Sequence, residues 1–213
     1  SLGQDRTKAV QNSANPAPLL LSLSLITFFF SGCSSEISPT YKEKDIPFFL
    51  KKICKEEYNL EVTTAMVEKT LWVYAPISKM IHQDYAVTKE KLFDDKMSEQ
   101  LRNIMTSIGR VLISADRAPD FYCMVISDIK ERGLDYALIG NVLDIKKSYA
   151  NFIPWSEMNK RYVEKLENAP QALGDTQGEH IQPYDITLRG FIAAQISQRI
   201  ENRFRQNDFK DVY

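Results

Sequence analysis

The chain has 213 residues, with 27 Lys and Arg against 28 Asp and Glu, a net charge of −1 and 44% hydrophobic residues. That length suits a single domain able to bury a real core. Near-neutrality without basic runs argues against a nucleic-acid partner held by phosphate charge.

The first distinctive stretch is Leu19–Phe30, twelve largely apolar residues followed by Ser31, Gly32 and Cys33. As a helix it would rise about 18 Å, short of the roughly 30 Å hydrocarbon core, so it reads as the apolar centre of a secretory signal. The eighteen residues before it carry Arg6 and Lys8 against Asp5, a weakly basic flank that is long for such a signal. The FSGC end resembles the lipobox of bacterial lipoproteins, with Phe30 standing where Leu is usual. The resemblance implies that residues 1–32 are removed and that Cys33 is acylated as the new N-terminus. Membrane attachment would then come through the lipid, in the bacterial cell envelope. Ser34 occupies the position where some Gram-negative bacteria place an Asp to retain lipoproteins in the inner membrane, which implies the outer membrane, facing the periplasm. Residues 33–44 are polar and carry Pro39, and they read as a tether.

A domain is expected over residues 45–205, with 206–213 a tail. DIPFFLKKICKEEY (45–58) predicts a helix, with Asp45 and Pro47 at its start and Ile46, Phe49, Leu50 and Ile53 on one face. Residues 59–77 alternate as a β-hairpin turning at Glu68-Lys69. There Trp72 and Tyr74 fall on the face opposite Val73, either beneath a second layer or as an exposed aromatic patch. From about Thr88 to Ala115, Met97, Leu101, Ile104, Met105, Ile108, Val111 and Leu112 recur at spacings of 3 and 4, a long helix with Gly109 inside it. DRAPD (116–120) stops that helix, since Pro119 cannot continue it.

Residues 121–129 form a nearly all-apolar strand, KERGLD turns the chain, and 136–145 return it as a second hairpin arm. Gly140 within that arm marks a bulge or a close backbone approach. Residues 153–169 predict a further helix, 171–183 a polar loop, and 185–205 a closing helix. Leu188, Phe191, Ile192, Ile196, Ile200 and Phe204 line one face of the closing helix. The expectation is an α+β fold: a helix, two hairpins separated by a long helix, and two C-terminal helices. The hairpins would make a four-stranded antiparallel sheet with its helices packed on one face.

Chemical signatures are sparse. GxSxG, Walker, HExxH and CxxC patterns are absent, and no cofactor or metal is implied. His82 and His180 read as loop histidines rather than a zinc pair. With Cys33 acylated, Cys54 and Cys123 remain, better read as small buried residues than as a disulfide. Asp94 and Asp95 read as a solvated helix start. The loop holding Asp175, Glu179 and His180 looks most like a site.

Three functions follow. The first is a non-enzymatic binding or assembly module with an envelope protein partner. The second is an envelope enzyme using Asp175, Glu179 or His180 with Asp116 or Asp120. The third is a small-ligand carrier with Trp72 and Tyr74 in a pocket between sheet and helices.

Overall fold

A computed structural model describes residues 39–83 and 92–206. The expected signal segment 1–32, the expected acylation site Cys33 and the tail 207–213 lie outside the described residues, as do 84–91 around the start of the expected long helix. The fold is α+β. In chain order it runs α1 (Ile46–Tyr58), β1 (Thr63–Val67), β2 (Thr70–Ile77), α2 (Asp95–Ile113), β3 (Phe121–Asp128), β4 (Leu134–Asn141), α3 (Val142–Tyr149), α4 (Trp155–Asn159), β5 (Val163–Asn168) and α5 (Leu188–Gln206).

The sheet departs from the expectation. It has five strands in the order β1-β2-β3-β4-β5 and it is mixed. β1 pairs antiparallel with β2 through Val67↔Thr70, which places Glu68-Lys69 at the turn. β2 and β3, however, pair in parallel from Thr70↔Phe121 to Ile77↔Asp128. The reason lies in the connection. A long helix between two strands carries the chain back to the end where it started, so the second strand enters in the same direction as the first. β3 and β4 are antiparallel, and β5 adds to β4 through Leu134↔Asn168 to Ile139↔Val163.

β5 comes from a stretch expected to be helical. Its Glu-Lys-Leu-Glu composition favours a helix locally, but the free edge of β4 offers six residues of backbone pairing, and that tertiary contact wins. Only Val163 of β5 is buried, and Glu164, Lys165 and Glu167 mark an edge protected by charge. The second hairpin arm also ends early, at Asn141. Asn141 caps α3 by accepting from the Leu143 N–H at 2.8 Å. Asp94 caps α2 in the same way, accepting from Lys96 N–H at 2.9 Å, and so is not merely solvated.

Helices were expected on one face, yet both faces are covered. Leu71, Val73, Tyr122, Met124, Ile126 and Leu138 point toward Leu50 and Ile53 of α1 and Ile104, Ile108 and Leu112 of α2. The alternate residues Trp72, Tyr74, Phe121, Cys123, Val125 and Ile139 meet Ile186 and Phe191. β3 is accordingly buried along its whole length. Cys54 and Cys123 are free and buried in these two separate clusters, and burial pushes the Cys123 thiol up to about 12. The end of the expected tether is held to the domain: Thr40 and Tyr41 N–H both donate to Ser114 O, and the Tyr41 ring sits 4.7 Å from Phe49.

Gly140 permits a close approach. A Cβ there would stand 2.3 Å from the Tyr122 hydroxyl oxygen, inside the fully buried part of the core. Gly140→Ala is therefore expected to lower the unfolding free energy by about 1–3 kcal/mol. Urea titration measures this directly, and an unchanged midpoint would mean that the Tyr122 ring yields.

Candidate functional site

β2 presents Thr70, Trp72 and Tyr74 on one face, because alternate strand residues share a side. Each has a polar tip, and each bonds the segment leading to α5. Tyr74 O–H donates to Asp175 O at 2.6 Å, and Trp72 Nε1–H donates to Tyr184 O at 2.8 Å. Thr70 O–H donates to Asp185 Oδ1 at 3.0 Å while its oxygen accepts from Ile186 N–H at 2.8 Å. Trp72 and Tyr74 are thus buried beneath a second layer, on the sheet face away from α1 and α2. They anchor that segment to the sheet.

The loop that follows Pro170–Ala172 folds onto the same face. His180 stands between two carboxylates, with Nδ1 2.5 Å from Asp175 Oδ2 and Nε2 3.1 Å from Asp135 Oδ2. Its side chain is only 6% exposed, so the expected solvated histidine is instead enclosed. A protonated ring nitrogen donates to the carboxylate oxygen it faces. Asp175 also accepts from the N–H groups of Gln177, Gly178 and His180. Burial alone would raise its carboxyl, but the His180 ring and these three amides outweigh burial and hold it well below the usual carboxylate range. Gly178 is required here: its φ is +78°, and a Cβ would lie 2.7 Å from the Tyr74 ring.

Of the residues singled out from sequence, the structure brings together Tyr74, Asp175 and His180. Glu179 is exposed beside them. Asp116 and Asp120 are elsewhere: Asp120 precedes the first residue of β3, about 23 Å along the strand from Ser127. Asp116 instead accepts from the Glu43 and Arg117 N–H groups, and Asp120 pairs with Lys69 at 3.5 Å. Asp135 and Ser127 were missed. They are register partners on β4 and β3, and the Ser127 hydroxyl donates to Asp135 at 2.5 Å. A charged residue in step with Ala137 and Ile139 on a buried face was the available signal. The Ser127 hydroxyl is thus engaged by the same carboxylate that faces His180 Nε2. Among the described residues no group of three or more His, Cys, Asp or Glu could hold a metal ion. The cluster works as a clamp on the loop.

A second feature lies on the other sheet face. α2, β4, α3, α4 and β5 enclose a cleft of about 510 Å³. Tyr136, Tyr149, Trp155 and Tyr162 form its aromatic walls, Met105 and Met158 lie among its apolar residues, and Arg102 and Glu164 also line it. Tyr149 and Trp155 meet edge to face at 5.0 Å. Burial pushes the Tyr162 hydroxyl up to about 12. No protein family, curated protein or solved structure matches the chain.

The depressed Asp175 carboxyl has a definite pH signature. A carboxyl lowered on folding contributes stability that is present above its unfolded value of about 3.9 and is lost as pH falls. Asp175→Asn is expected to be less stable than wild type at pH 7, with the difference closing below about pH 4. Urea midpoints from pH 3 to 7 check this, and a constant difference across that range would contradict it.

Proposed function

We propose that the chain is a lipid-anchored bacterial envelope protein acting as a non-enzymatic binding or assembly module. In this reading Cys33 carries the lipid and the aromatic cleft receives a side chain of a protein partner. The observation that carries it is the cleft rim. Trp155 is 50% exposed there, beside a half-exposed Tyr149 and with Arg102 and Met105 at hand. Trp, Tyr, Met and Arg are the side chains enriched where protein partners dock, and Trp and Tyr supply a large share of interface hot spots. The saturated ring of His180 supports the non-enzymatic part, because both of its nitrogens already face carboxylates.

The cleft also suits a small amphipathic ligand, since its volume lies in the usual range for such sites. A carrier function would therefore use this cleft and not Trp72 and Tyr74. Trp155 fluorescence, read against the buried Trp72, separates the two readings when a panel of small molecules is titrated.

Two measurements test the main reading. The membrane-extracted chain is expected to begin at Cys33 and to carry acyl mass that Cys33→Ser abolishes. An unmodified Cys33 on a chain retaining residues 1–32 would remove the anchor from the proposal. Trp155→Ala is expected to lower crosslinked recovery of the envelope partner more than tenfold, with its unfolding midpoint unchanged. Equal recovery with wild type and variant would remove the cleft from it.

A further inference from the structure

α5 is held to the sheet by one side only. Phe191 is buried beside Phe121, at 5.2 Å between ring centroids. Gln195 Nε2–H donates to Arg161 O, and Gln198 Oε1 accepts from Glu164 N–H at 2.9 Å. Thr187 starts the helix, its hydroxyl oxygen accepting from Gly190 N–H at 3.2 Å. The expected single apolar face is therefore split. Phe191 turns inward, while Leu188, Ile192, Ile196 and Ile200 turn outward and are each between 45% and 59% exposed.

Those four residues recur every fourth position, so at about 100° per residue they sweep a sector of about 120° around the helix. Arg189, Arg199 and Arg203 fall inside the same sector and are exposed. Among the described residues none of these three has an ion-pair partner. The helix's one acid, Glu201, sits outside the sector and faces Ser197. The outward face of α5 thus carries apolar and cationic residues and no acid of its own, while Asp144, Glu157 and Glu164 of neighbouring elements line the grooves beside Arg199 and Arg203.

We infer that this face binds an anionic bilayer surface, with α5 lying in the plane of the interface. The charge is complementary to acidic lipid headgroups, and long arginine side chains reach those headgroups while the isoleucines enter the acyl boundary. A second copy fits less well, because it would bring three arginines against three more. A partner helix fits less well too: an apolar row that advances about 40° at each step leaves the narrow seam two helices share. A fluid, flat, acidic surface accommodates the whole sector. The inference stands apart from acylation of Cys33, because the test omits that residue.

The buried residues of both core clusters lie between Ile46 and Phe191, inside the compact unit Pro39–Tyr213. That chain is floated with vesicles of phosphatidylglycerol and phosphatidylcholine, and with phosphatidylcholine alone. The expected result is flotation with the acidic vesicles only, weakened by salt. At about fivefold per arginine, Arg199→Ala with Arg203→Ala should reduce binding about 25-fold. Ile192→Ser with Ile196→Ser should also reduce it, with unfolding midpoints unchanged in both pairs. No flotation with acidic vesicles would overturn the inference, as would equal flotation by wild type and both variant pairs. A dimer in solution that Ile196→Ser dissociates, without vesicle binding, would assign the face to a second copy instead.

Discussion

The structure depends on the row Thr70, Trp72 and Tyr74 of β2 capturing the segment that runs from Asp175 to Ile186. Three side chains of one strand bond a stretch more than a hundred residues away in sequence. Without that capture one face of the sheet would leave Trp72, Phe121, Cys123 and Val125 in water, at a cost of about 1.5–3 kcal/mol for each large apolar side chain. With it, β3 becomes a strand covered on both faces, and α5 is delivered to the edge of β5. The Asp135–His180–Asp175 clamp fixes the near end of the same segment. Its two buried carboxylates would repel one another if the histidine were removed.

The two faces of the sheet consequently serve different ends. The face under α1 and α2 carries the main core and opens at one end into the aromatic cleft. The opposite face is sealed by polar-tipped side chains and a histidine clamp, and its outermost element shows solvent an apolar and cationic surface. The residues that looked most catalytic in the sequence belong to the seal. Those that line the cleft, Tyr136, Tyr149, Trp155 and Tyr162, come from β4, α3, α4 and the link before β5 and share no spacing.

This explains what could be read from the sequence. The first hairpin was legible because Thr64, Met66, Leu71 and Val73 alternate over adjacent runs, and its turn fell at Glu68-Lys69 as the spacing required. The long helix was legible because Met97, Ile104, Ile108 and Leu112 are all buried on one stripe. The loop around Asp175 and His180 stood out by its residue types. Strand direction was not legible, because periodicity says which residues share a face and nothing about which strand lies beside which. β5 was missed because Glu164, Lys165 and Glu167 favour a helix until the edge of β4 is present. Asp135 was missed because it sat next to a turn, and only the register with Ser127 shows that it faces inward.

The position of the two thiols has a bearing on biogenesis. Cys54 and Cys123 belong to clusters on opposite sides of the sheet, both shielded from solvent, and burial disfavours the thiolate form of each. Oxidation therefore offers this domain no native crosslink to form. The fold of the described residues rests on no disulfide between Cys54 and Cys123.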